Sequence, residues 1–198
     1  RPTAASTLIL FLLLCAGCAH RPALDRADAE ARWTLRRAQL ETLTHYSVNG
    51  RAAGGSLLAP RADFRWQQEA DGRFELRLSG PFGMGAISLN GDEQHMEVRT
   101  PEGVSQTGDP QGWIAQTLGW RLPLAHLRRW MIGLPATDAP QQLELDNQGR
   151  LALLVEAGWT LRYLDYAEAG IYELPRRIEA SNGEGTIKLI ADVWGDLP

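Results

Sequence analysis

From Tyr46 onward, apolar side chains return at every second position, and this limits what the chain can fold into more than any other feature. Val48, Gly50 and Ala52 alternate with polar neighbours. Phe64, Trp66 and Gln68 share one face of a second segment, and Phe74, Leu76 and Leu78 share one face of a third. Ile87 and Leu89, then Met96 and Val98, continue the pattern. A period of two puts successive side chains on opposite faces of a strand. Turn clusters end each run, among them Asp71-Gly72, Gly80-Pro81, Asn90-Gly91-Asp92 and Pro101-Glu102-Gly103. Consecutive strands joined by such short connections pair antiparallel. One apolar face per strand predicts a sheet with one solvated side and one side that covers something.

The alternation stops at Asp109-Pro110, a capping residue followed by a first-turn proline. A helix is expected from there to about Leu118. A second, short helix begins at Pro123, with Leu124, Leu127, Trp130 and Met131 facing inward, and ends at Gly133 and Pro135. Strands resume over roughly 141–146, 150–157, 159–166, 174–181 and 185–194. Ahead of the sheet, Ala27, Ala31, Leu35 and Ala38 recur at helical spacing, with Arg and Glu on the other face. They predict a helix from Asp25 to about Leu43. No repeat or linker divides residues 25–198, which read as one domain. The count is about eleven strands, interrupted once by helices. A sheet of that size must close or be covered, and the helices are too few to bury it. The expected fold class is therefore mainly β (α+β): a partly open antiparallel barrel with helices as a lid over an apolar cavity.

The first residues read as an export signal. Arg1 precedes an apolar run from Leu8 to Leu14, followed by small residues and Cys18. That run is too short to span a hydrocarbon layer of about 30 Å. The stretch Cys15-Ala16-Gly17-Cys18 resembles a lipobox, with Cys15 where leucine is usual. On this reading residues 1–17 are removed, Cys18 becomes a lipid-bearing N-terminus, and residues 18–24 form a tether. An ordinary signal peptide with two incidental cysteines is the plainer alternative. Ala19 follows the cysteine instead of Asp, which by resemblance to enteric-type sorting permits export to the outer membrane. The sequence has no initiator Met, so some N-terminal residues are expected to be missing from it. Both cysteines of the chain lie in this segment, so the folded part is expected to have no disulfide and no cysteine metal site.

Catalytic patterns are absent. There is no HExxH, no GxSxG and no phosphate-binding loop, and His20, His45, His95 and His126 are scattered. His126, beside Arg128 and Arg129, reads as a surface residue. Asp165 and Glu168 are close enough to pair but sit among turn residues. Gly80, Gly83 and Gly85 have no helix after them and read as a hairpin. A net charge of −4 points to neither a nucleic-acid partner nor a polybasic membrane patch.

The informative residues are apolar. Seven tryptophans suit a wide cavity that large flat side chains line without filling. The expected cavity residues are Trp66, Phe74, Leu76, Trp113, Leu118, Trp120, Leu127, Trp130 and Trp159. Phe82 and Met84 sit in a loop between two strands, where nothing local buries them. Either Phe82 folds back over the sheet edge, or the loop is an exposed apolar finger that enters lipid or a partner.

With these features the chain resembles the LolB family of outer-membrane lipoprotein receptors. The resemblance rests on Tyr46-Ser47-Val48-Asn49-Gly50-Arg51, on Phe64-Arg65-Trp66-Gln67-Gln68 and on the hairpin Gly80-Pro81-Phe82-Gly83. Its most specific part runs from Leu118-Gly119-Trp120-Arg121-Leu122-Pro123-Leu124 into Leu127-Arg128-Arg129-Trp130-Met131-Ile132-Gly133-Leu134-Pro135. It closes with Thr186-Ile187-Lys188-Leu189 and Trp194. The resemblance implies a half-open barrel of about eleven strands lidded by helices. It implies a monomeric, non-enzymatic receptor without cofactor, at the periplasmic face of the outer membrane. Such a receptor takes acylated lipoproteins from the periplasmic carrier LolA and inserts them into the membrane lipid. It also implies that Phe82, where the family often has Leu, drives insertion. A structural lipoprotein that binds an envelope complex through its sheet edge is the competing expectation.

Overall fold

The alternating segments form one antiparallel sheet of eleven strands in a computed structural model that describes residues 22–54, 61–80, 85–118 and 123–198. The strands are β1 (Tyr46–Ala53), β2 (Ala62–Gln68), β3 (Phe74–Ser79), β4 (Ile87–Gly91), β5 (Met96–Thr100), β6 (Gly103–Thr107), β7 (Gln142–Leu145), β8 (Leu151–Glu156), β9 (Trp159–Ala169), β10 (Tyr172–Asn182) and β11 (Gly185–Gly195). The helices are α1 (Pro22–Glu41), α2 (Pro110–Leu118) and α3 (Leu124–Met131). Cys18, Phe82, Met84 and Trp120 lie outside the described residues, as does the side chain of Leu118.

The strand order across the sheet is β6-β5-β4-β3-β2-β1-β11-β10-β9-β8-β7. Two meanders thus meet where the first and last strands pair, with Val48 opposite Trp194. The edge strands β6 and β7 do not pair with each other, so the sheet stays open, and α2 and α3 lie between them in sequence. The register explains the core. Val48, Trp66, Leu76, Leu89 and Val98 are successive cross-strand partners, all buried on one face. Full burial of each such side chain contributes roughly 1.5–3 kcal/mol.

Three expectations change. The sixth strand, β6, has no alternation: Gly103 to Gln106 are all exposed, and the apolar Val104 is 58% exposed. With no buried face it carries no periodic signal. In β9 and β10 the pairing continues to Ala169 and Tyr172 around a tight Gly170-Ile171 turn, so both strands are longer than their alternation predicts. The third change is in α1, which starts at Pro22, inside the expected tether, and turns a different face inward. Leu35 is 74% exposed and Ala27, Ala31 and Ala38 also face out, while Ala29 and Leu40 are buried and Trp33 and Arg36 are partly buried. Glu173 of β10 neutralises the arginine on this inward face: Arg36 donates to the Glu173 carboxylate at 2.5 Å and to its carbonyl oxygen at 3.0 Å. Arg150 meets the same carboxylate at 2.7 Å.

Gly149 seats this helix. Its φ is +71°, and a Cβ there would lie 2.6 Å from the Ala29 carbonyl oxygen and 2.8 Å from the Trp33 nitrogen. The β7–β8 turn packs backbone to backbone on α1 because the position carries no side chain.

Candidate functional site

The inner face of the sheet and the two short helices enclose an apolar cavity of about 60 Å³. The strands contribute by alternation: Ala52 from β1, Phe64 and Trp66 from β2, Leu76 and Leu78 from β3, and Ile178 and Ala180 from β10. Leu161 of β9 and Ile187 and Leu189 of β11 complete that wall. The opposite wall is helical. Ile114 comes from α2, whose first turn is capped by Asp109 accepting the Gly112 N–H at 2.9 Å. Leu124, Leu127, Trp130 and Met131 come from α3, where the steps of three and four place them on one side.

Of the residues expected to line a cavity, Trp66, Leu76, Leu127 and Trp130 do so. Phe74 does not. It is buried, with its ring stacked on Trp66 at 4.9 Å between centroids, so it supports the lining and is not part of it. Trp159 is likewise buried beside Trp130, at 6.4 Å, and does not reach the cavity. Trp113 is partly buried on α2; its neighbour Ile114 takes the inward position. Phe64, Ile114, Leu161 and Ile178 were not among the expected residues. Phe64 and Leu78 were readable, since they share strand faces with Trp66 and Leu76.

The helical wall is fastened at one end. The Tyr46 hydroxyl donates to the Arg128 carbonyl oxygen at 2.7 Å, and the Tyr163 hydroxyl donates to that of Trp130 at 3.0 Å. Arg129 donates to the Pro135 carbonyl oxygen at 2.7 Å and forms a two-pronged pair with Glu41 at 2.7 and 2.9 Å. The Trp130 indole donates to Glu156. All of these grip the C-terminal half of α3. At the other end Pro123, in the N-cap position before Leu124, makes no side-chain capping hydrogen bond. Burial pushes the Tyr46 and Tyr163 hydroxyls far above their ordinary range, so both stay neutral donors.

Among the described residues, no charged side chain lines this space. His126 is partly buried instead of on the surface, its ring against Trp130 at 5.4 Å. Asp165 pairs with Arg176 at 3.4 Å and Arg177 at 3.7 Å instead of with Glu168. Among the described residues, no group of three or more His, Cys, Asp or Glu is placed to hold a metal ion. The arrangement is suited to taking up hydrocarbon.

The family model described as Outer membrane lipoprotein LolB matches residues 44–194. The outer-membrane lipoprotein LolB of Pseudomonas paraeruginosa is 36% identical over 196 residues, covering 96% of this chain and 93% of that protein. The protein of the same name from Pseudomonas putida is 34% identical over 193 residues, covering 95% and 92%. Among solved structures, a LolA superfamily protein from Nitrosomonas europaea aligns over 87% of this chain and 94% of its own, with a TM-score of 0.47 and 12% identity. The matched span takes in the eleven strands but for the last residue of β11, both cavity helices and the described cavity lining, and on that ground the chain belongs to the LolB family of outer-membrane lipoproteins.

Proposed function

We propose that the chain receives acylated lipoproteins from a LolA-type periplasmic carrier and inserts them into the inner leaflet of the outer membrane, without enzymatic chemistry. The observation that carries this is the cavity between sheet and helices, whose lining among the described residues is entirely apolar and aromatic. Exposing an acyl chain to water costs about 0.8 kcal/mol per CH₂, so a transfer protein must keep the chains covered throughout. Exchange between two such cavities runs downhill when the receiver binds more tightly, and a tenfold bias needs only about 1.4 kcal/mol.

At about 60 Å³ the space is smaller than the roughly 150 Å³ that admits a benzene molecule. Acyl chains therefore enter only when the helical wall moves. The bonds at the C-terminal half of α3 leave α2 and the N-terminal end of α3 as the part that swings. Residues 1–17 act as the signal peptide, Cys18 carries the lipid anchor, and residues 25–198 form the receptor domain. Phe82 and Met84, in the hairpin after β3, enter the membrane during release.

The test is reconstituted delivery. Protein mixed with a LolA-type carrier holding an acylated lipoprotein takes over the cargo, and liposomes then receive it. Phe82→Glu still takes the cargo but does not release it. Normal membrane insertion by Phe82→Glu, or failure of the unmodified protein to take cargo at all, sinks the reading. A scaffolding lipoprotein would bind no acyl-chain probe and show no change in tryptophan fluorescence.

A further inference from the structure

The two edges of the sheet are built differently. β7 is a shielded edge: α1 packs against it, its pairing with β8 slips between Glu144 and Leu145, and Glu144 puts an exposed charge on it. Bulges, charges and covering helices are devices that keep an edge strand from pairing with another chain. β6 lacks all three. Gly103-Val104-Ser105-Gln106-Thr107 carries no charge and no proline, and it pairs with β5 over its whole length without a slip. Glu102 lies in the turn before it, and Asp109 beyond it caps α2. Among the described residues no strand pairs with its outer side, and Gly103 to Gln106 are exposed.

The turn fixes which groups this edge presents. Thr100 and Gly103 are paired across a loop of two residues, and residues that close such a loop exchange both main-chain hydrogen bonds. Ser105 and Thr107 therefore also face β5, while Val104 and Gln106 turn their N–H and C=O groups outward. At about 3.4 Å per residue β6 offers roughly 17 Å of edge to a further strand. Its uncharged side chains make no demand on those of an added strand, so pairing there is read through the main chain.

We propose that β6 binds the extended peptide that follows the acylated residue of a cargo lipoprotein, adding it to the eleven-stranded sheet as one more strand. This rests on the proposed function, in which acyl chains enter when α2 moves. α2 follows β6 after only Gly108 and Asp109, and its Ile114 lines the cavity. An opening beneath α2 borders β6, the strand to which that helix is joined, so a peptide leaving the opening runs onto its edge. The chemistry of the cargo points the same way. A receptor that serves lipoproteins of different sequence reads what they share, the acyl group and the main chain. The cavity takes the first, and an uncharged, unblocked edge takes the second. A carrier or a second copy of this chain has one fixed sequence, and an edge shaped for it would carry a matching pattern of side chains. β6 carries none, since Gly103 to Gln106 are exposed on both faces.

The experiment follows two probes by tryptophan fluorescence: palmitate, and a six-residue peptide acylated on its first residue. N-methylation of that peptide at residues 3 and 5, or at residues 4 and 6, removes alternate main-chain donors and leaves side chains and acyl groups unchanged. One methylated peptide is expected to bind roughly tenfold more weakly than the unmethylated one, and the other within about twofold of it. Gln106→Pro deletes an outward N–H and no bond to β5, and it weakens the acylated peptide about fivefold while palmitate binds as before. Gln106→Ala keeps that N–H and leaves both affinities unchanged. Equal affinity of the two methylated peptides, or an equal loss of both probes in Gln106→Pro, overturns the inference. Weaker carrier binding or lost self-association in Gln106→Pro, with peptide affinity unchanged, assigns the edge to the carrier or to a second copy and overturns it too. If the unmodified protein binds neither probe, the proposed function fails; if it binds both and methylation has no effect, only this inference fails.

Discussion

The indole N–H of Trp130 donates to the carboxylate of Glu156, a strand residue that is 1% exposed. The same carboxylate accepts the backbone N–H groups of Ala136 at 2.7 Å and Thr137 at 3.1 Å, and the Thr137 hydroxyl at 2.9 Å. One buried side chain thereby ties β8 to the end of the cavity helix and to the segment that follows it. Glu156→Ala leaves these donors buried without an acceptor and is expected to cost about 3 kcal/mol or more, read as a lower urea midpoint. Glu156→Gln keeps one accepting oxygen and costs less.

Filling the cavity separates its emptiness from its stability. Ala180 lines it and is buried. Ala180→Leu adds three carbons to a void of about 60 Å³. The thermal midpoint is expected to hold or rise, while the affinity for an acyl-chain probe, followed by tryptophan fluorescence, falls at least tenfold. Unchanged probe affinity would place the acyl chains elsewhere.

Gly149 and Gly158 form a matched pair. Both have positive φ, +71° and +78°, but a Cβ at Gly158 meets nothing within 4 Å, whereas one at Gly149 strikes α1. Gly158→Ala should cost about 1 kcal/mol from backbone conformation alone. Gly149→Ala should cost at least twice that, because α1 must also shift. Equal losses in urea unfolding would show that α1 is not seated on this turn.

The Glu41–Arg129 pair gives a pH signature. The hydrogen bond from Arg129 holds the Glu41 carboxyl below its ordinary 4.5. Its contribution is present above that value and lost as pH falls through the lowered folded value. Both side chains are partly exposed, so less than about 1 kcal/mol is involved. Glu41→Gln lowers stability at pH 7 and flattens the part of the acid-unfolding profile just below pH 4.5.

Strands β1 to β5 were legible because each buries one face, and burial of one face is what alternation records. β6 was not legible, since both of its faces are wet. The inward face of α1 was misread because Arg36 is acceptable there only in the presence of Glu173, 137 residues away. Glu156 escaped for the same reason: on its own strand it looks like any solvated carboxylate, and its donors arrive from residues 130 and 136–137. The cavity was legible as a class of site but only partly as a list of residues. Strand alternation says which side chains point inward, but it does not say which of them a second layer, such as Phe74 behind Trp66, keeps from the surface of the void.

The pairing of β1 with β11 has a consequence for how the molecule is made. Within each meander every strand pairs with its neighbour in sequence, so those contacts are local and quick to close. The seam between the meanders joins residues 47–53 to residues 188–195 and spans nearly the whole chain. A polypeptide emerging N-terminus first can zip β1 to β6 while the rest is still in transit. Until the last strand arrives, β1 waits as a bare edge with Val48 and Ala52 uncovered. During those seconds the chain has a third open edge, beside β6 and β7, through which it can pair with the wrong neighbour.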